Sequence, residues 1–179
     1  MTDRWRLYPG RSRVPDAAAP DVRARSHTIA AEVLLPGADD GGVLLAHGDR
    51  FAGYAVRVAE GRLEHHYVHA GVTTVTRSTG VVPVGRSVRV EVRVRRTGAG
   101  AEVDLLVDGR ADGTGTIPAM ARARTGYTGV DVGCDRGLTV GGYPAPAAFT
   151  GSLRRVDVEA ADDQWLDRAA MLEIEGATG

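Results

Sequence analysis

From Ser87 to Arg95 every second residue is valine: Val88, Val90, Val92 and Val94 alternate with Arg89, Glu91, Arg93 and Arg95. Only an extended chain puts residues two apart on one side. The segment therefore predicts a strand with one face on a core and one in water. Such a strand needs partners, and the flanking sequence offers them. Ala101–Val107 and Arg110–Ile117 follow across glycine-marked turns, with Asp108-Gly109 as a tight hairpin turn. The glycines of 110–117 point to a bulge or an edge.

The same period runs upstream. Ser26 to Leu35 buries Ile29, Ala31 and Val33 on one face, and Val43–Ala46, Tyr54–Val58, Arg62–His69 and Val72–Thr79 add short strands between turns. Val130–Gly133 and Phe149–Glu159 complete the set, the last with a local irregularity around Leu153 and Val156. Helices do not alternate with these strands, and the strands are too numerous for a small barrel. The expected fold is all-β: an antiparallel jelly-roll sandwich of two sheets. Residues 1–25, punctuated by Pro9, Pro15 and Pro20, read as an extended arm or linker. Residues 26–160 read as the sandwich. Residues 161–179 read as a short C-terminal helix and tail, capped by Asp162 or Asp163, with Trp165, Ala169 and Leu172 on one side.

With 43% hydrophobic but only 5% aromatic residues, Val, Leu and Ala must fill the core. The net charge of −1 gives no steering toward nucleic acid or an anionic membrane. All 22 basic residues are arginine, and Lys and Asn are absent. Scattered among acids, these arginines read as the codon bias of a GC-rich genome rather than as an anion-binding surface. The single Cys134 excludes an internal disulfide, and the start of the chain shows no apolar leader, so a cytoplasmic location is expected. No apolar run reaches the length of a membrane span.

Several constellations carry candidate chemistry. Along 62–69, His65, Tyr67 and His69 share one strand face, which can serve as a flat platform for a sugar ring. The two histidines are roughly 13 Å apart, too far for one metal ion. The plain alternative is a half-buried sheet face. Asp131 and Asp135 are candidate loop ligands for calcium, with turn-capping as the commoner use. Glu102 with Asp104, and Asp157 with Glu159, are paired carboxylates of the kind a glycosidase needs, but the second pair alternates with the core residues Val156 and Val158 and reads as solvated. Cys134 reads as a small buried residue rather than a reactive thiol.

A further set of residues carries a resemblance: Tyr8-Pro9-Gly10, Arg25-Ser26-His27-Thr28-Ile29, Gly42-Val43-Leu44, Gly48-Asp49-Arg50-Phe51, Gly53-Tyr54, Gly61-Arg62-Leu63, Leu106-Val107-Asp108-Gly109, Asp131-Val132-Gly133 and Phe149-Thr150-Gly151. In these the chain resembles the C-terminal β-sandwich of bacterial, actinobacterial-type arylsulfatases, a concanavalin A-like or laminin-G-like domain. The resemblance covers about residues 5–160 and lacks the catalytic domain. Arylsulfatases make their nucleophile from the Cys or Ser of a C/S-x-P-x-R motif, whereas here Gly133-Cys134-Asp135-Arg136-Gly137 has no proline. The resemblance thus implies a non-enzyme: an accessory module that docks a sulfatase catalytic domain or another protein. Two alternatives stand beside it: an autonomous lectin-like glycan binder, assisted by calcium as in many laminin-G-like domains, or a fragment assigned to the arylsulfatases by similarity alone.

Overall fold

The computed structural model describes residues 2–10, 13–122, 129–144 and 147–166. Two antiparallel sheets form a jelly-roll sandwich, as expected. One sheet contains β1 (Asp3–Leu7), β2 (His27–Leu34), β7 (Ser87–Thr97), β8 (Gly100–Val107), β9 (Arg110–Ile117) and β11 (Ser152–Ala160), in the order β1-β11-β2-β7-β8-β9. The other contains β3 (Gly42–Gly48), β4 (Gly53–Ala59), β5 (Arg62–His69), β6 (Val72–Arg77) and β10 (Val130–Val132), in the order β10-β3-β4-β5-β6.

The alternation of β7 does what its sequence demands. Val88, Val90, Val92 and Val94 are buried with Ile29, Val33, Val103, Leu105, Val156 and Val158, facing Leu45, Val56, Val58 and Leu63 of the second sheet. A smaller apolar layer lies on the far side of that second sheet. There Val43, Ala46, Ala55 and Val68 are covered by Val140 and Tyr143 from the loop after β10. The middle of the five-stranded sheet is therefore buried on both faces. The irregularity expected in the last strand is a register shift between Leu153 and Val156.

Three hairpins share one turn. Glu60-Gly61, Ala70-Gly71 and Asp108-Gly109 all have positive φ at both central residues. That geometry matches the right-handed twist of the flanking strands and sets their register. Only the last of the three was apparent from residue types.

β9 is an edge strand, and its glycines have a second use. A methyl group at Gly113 would sit 2.7 Å from the Arg77 carbonyl oxygen of β6, in the other sheet. Backbone, not a movable side chain, blocks it. Gly113→Ala is expected to cost about 2 kcal/mol by forcing the sheets apart, read by urea denaturation. A loss below about 0.5 kcal/mol would mean that the two strands do not approach so closely.

Part of the N-terminal arm is built into the sandwich. Trp5 lies opposite Val158 and Leu7 opposite Val156, so β1 forms an edge of the first sheet. Val14 then exchanges two 2.9 Å backbone hydrogen bonds with Val130 of the second sheet, before a 3-10 turn at Asp16–Ala18. The arm thus ties the two sheets together.

The expected C-terminal helix falls mainly outside the described residues, and none forms through residue 166. Asp163 instead accepts hydrogen bonds from the Ser26 backbone N–H at 2.9 Å and the Ser26 hydroxyl at 2.6 Å, at the start of β2. Among the described residues no helix is long and apolar enough to cross a membrane.

Candidate functional site

Two-residue turns at 60–61 and 70–71 place Arg57 opposite Glu64, and Glu64 opposite Arg77. The three side chains form a row across β4, β5 and β6, on the side of the sheet away from the main core. Glu64 is only 2% exposed. Arg77 Nε donates to Glu64 Oε1 at 2.7 Å, and His66 Nε2 donates to Oε2 at 2.8 Å. Arg57 Nε lies 3.9 Å from Oε2, and its guanidinium packs over the Tyr143 ring at 4.5 Å. Burial pushes the Glu64 carboxyl upward, but the hydrogen bonds from His66 and Arg77 outweigh it and hold the group below its ordinary value. It is therefore a fixed anion among cationic partners.

This row floors a groove of about 890 Å³. Val75 adds an apolar surface beside it, and Asp39, Asp40, Ala148 and Thr150 form walls. Thr150 Oγ1 donates to Asp40 Oδ1 at 2.8 Å and ties one wall together. The side chain of Arg77 is 49% exposed. A guanidinium carries five N–H donors, more than Glu64 and Glu60 take up. Arg77 can therefore offer paired donors to a ligand oxygen, with a flat apolar spot next to them, in a groove whose lining also carries Asp39, Asp40 and Glu60.

The residues singled out from sequence fall elsewhere. His65 is 1% exposed and Tyr67 is buried; both face the opposite sheet rather than a ligand. Tyr67 Oη accepts from the Ala121 N–H at 2.8 Å. His69, at the end of β5, is half-buried. The candidate sugar platform is thus corrected in favour of its plain alternative, a covered sheet face: that side of β5 is an inner one, and Glu64 and His66, on its reverse, border the groove. Alternation fixes which residues share a face, but not which face looks inward when both are covered.

Asp131 is buried between two arginines. Arg13 Nε donates to Oδ2 at 3.0 Å and Arg136 Nη1 to Oδ1 at 3.0 Å, while the Arg136 backbone N–H reaches Oδ2 at 2.8 Å. Two guanidinium charges on one carboxylate do not fit a calcium ion, so the calcium expectation is corrected at this residue. Asp135 accepts from the Tyr143 hydroxyl at 2.7 Å and from the Val140 N–H at 3.1 Å. It reaches the groove indirectly, by fixing the ring on which Arg57 lies. Among the described residues no group of three or more His, Cys, Asp or Glu side chains is placed to hold a metal ion. Burial, with help from Asp131, pushes the Cys134 thiol upward, away from a reactive thiolate. Glu102 pairs with Arg95, Asp157 with Arg155 and Glu159 with Arg4, all as outward-facing ion pairs.

The architecture is that of laminin-G and CBM40 domains, a concanavalin-like sandwich. The CBM40 of the Ruminococcus gnavus IT-sialidase, solved bound to α2,3-sialyllactose, superposes with a TM-score of 0.61 at 14% identity, covering 88% of this chain and 90% of that one. Domains LG4-5 of the mouse laminin α1 chain give 0.61 at 14% identity, covering 90% and 43%. Leech intramolecular trans-sialidase gives 0.55 at 15% identity, covering 94% and 26%. No protein-family model matches the chain, and no curated protein matches it in sequence. At these identities the likeness is one of fold. It bears on the sandwich and not on the sulfatase part of the sequence resemblance.

Proposed function

We propose that this chain is a non-catalytic glycan-binding module that takes an acidic sugar in the groove over β4–β6. The observation that carries the reading is the Arg57–Glu64–Arg77 row. A buried carboxylate holds the Arg77 guanidinium at the floor of an open groove, with Arg57 3.9 Å away, and Arg77 keeps spare donors. A sugar carboxylate or sulfate pairs with Arg77, and the apolar face of the ring rests on Val75. Fold relatives that bind sialyllactose support the choice of an acidic sugar.

Calorimetric titration with 3′-sialyllactose, and with lactose as the uncharged control, tests the reading. The sialylated sugar is expected to bind and lactose not to. Arg77→Ala should weaken binding about tenfold, and Arg77→Lys should recover part of the loss. If sialylated, uronate and sulfated sugars all fail to bind the folded protein, the reading falls.

One feature favours a second reading, protein docking. β6 is the last strand of its sheet, and Val72 at its start is 69% exposed. In that reading the partner is the sulfatase-type catalytic domain implied by the sequence resemblance. Co-purification with such a domain, lost on Val72→Asp, is the supporting result. Separate elution of the two well-folded proteins counts against it.

A further inference from the structure

The turn between β4 and β5 sets a second carboxylate against the cation of the groove. Its two central residues are Glu60 and Gly61, both with positive φ. The Val82 N–H donates to the Gly61 carbonyl oxygen at 2.7 Å, which pins the turn to the loop after β6. The Glu60 side chain, by contrast, is 79% exposed. Among the described residues its carboxylate has one partner: Arg77 Nη1 lies 3.4 Å from Oε2.

The shape of the guanidinium decides what this contact means. A guanidinium meets a carboxylate in a paired contact along one of two edges, Nε with Nη2 or Nη1 with Nη2. In Arg77 the first edge is filled, because Nε and Nη2 both reach Glu64 Oε1. A ligand carboxylate or sulfate that makes a paired contact must therefore use the second edge. Glu60 stands at Nη1, on that edge, and it carries the same sign of charge as such a ligand.

The contact is also of a kind that can be displaced. It is long, the Arg77 side chain is 49% exposed, and water screens the attraction. An anion with two oxygens on the same edge gains two short charge-assisted hydrogen bonds in place of one long one.

We propose that Glu60 is a built-in competitor for the anion of the ligand. It covers the open edge of Arg77 until an acidic sugar displaces it, and so sets the affinity of the site. This rests on the acidic-sugar reading of the groove given above.

The test is Glu60→Gln on the full chain, which removes the charge from an exposed side chain and keeps its size. An unchanged urea midpoint checks that the fold is kept. Two ligands are compared: 3′-sialyllactose by calorimetry, and inorganic sulfate followed at the Arg77 Nε–H and the neighbouring β6 amide signals. Both should bind Glu60→Gln about threefold more tightly than wild type. The gain should vanish in an Arg77→Ala background, because Glu60 acts through Arg77. Equal affinity of sialyllactose for wild type and Glu60→Gln overturns the proposal and leaves the acidic-sugar reading standing. A gain for sulfate, with sialylated, uronate and sulfated sugars silent on both proteins, does the reverse. A gain that persists without Arg77 reports only the change in net charge and overturns the proposal. Silence of sulfate and of all these sugars on both proteins overturns the proposal and the reading together.

Discussion

Acidification is expected to unfold this protein at a pH where most of its carboxylates are still ionised. The cause is buried histidine. Burial pushes the His27 ring down to about 4, against a smaller opposing effect of the Arg25 carbonyl. Burial, reinforced by the neighbouring His27 and His66, pushes His65 down to about 3. In the unfolded chain both rings take up a proton near pH 6.5. Above that pH both states are neutral and the fold has its full stability. As pH falls below it, the unfolded chain gains protons that the folded chain refuses, and stability drops until the folded pKa is reached. By pH 5 each ring has cost about 2 kcal/mol. Urea denaturation at pH 7.5, 6 and 5 should show the midpoint falling steadily. His65→Leu should remove its share. The variant should sit near wild type at neutral pH, since it also deletes a buried unpaired nitrogen, and stand about 2 kcal/mol above it at pH 5. Parallel curves for the two proteins would show that His65 is not the buried neutral group described.

Removing Glu64 is expected to cost about 3 kcal/mol of stability. The carboxylate is the common partner of His66 and Arg77 and the nearest anion to Arg57. Without it two guanidinium groups face each other across one strand, and Arg57 Nε, already buried without a hydrogen-bond partner, loses its nearest negative charge. Glu64→Ala should unfold at clearly lower urea, with sugar binding lost even where the protein stays folded. Glu64→Ala combined with Arg77→Met should recover part of the stability, because the second change removes an uncompensated cation. A loss below about 1 kcal/mol in Glu64→Ala would mean that the row is a solvated surface network and not a buried one.

The residues that define this row were in plain view in the sequence, yet the alternation pattern hid them. Arg57, Glu64 and Arg77 each stand on a strand where a charged residue reads as wet. What joins them is register, and register depends on the turns at Glu60-Gly61 and Ala70-Gly71, which carry positive φ on non-glycine residues. Had those two turns been recognised, the opposition of 57 with 64 and of 64 with 77 would have followed from counting outward. β7 was legible because one of its faces is dry and the other wet. β5 was not, because Leu63, His65 and Tyr67 pack inward while Val68 on the reverse lies under Val140 and Tyr143, so both faces are covered. The loop that covers it is rich in Gly and Pro and has no period from which its path could be read. Asp131 and Asp135 stood out in the sequence as candidate calcium ligands, yet both are engaged with protein groups. Their partners are Arg13, 118 residues before Asp131, and Arg136 and Tyr143 from the loop after β10, whose path no period reveals.

The order of strands also dictates a timetable for folding. β3 to β6 form a meander whose neighbours are adjacent in sequence, and it can assemble while the chain is still leaving the ribosome. β2 waits longer. Its two neighbours are β7 and β11, and the second of these ends at Ala160. Until synthesis has passed that point the first sheet has a gap in its middle, and Asp3–Leu7, although made first, has nothing to pair with.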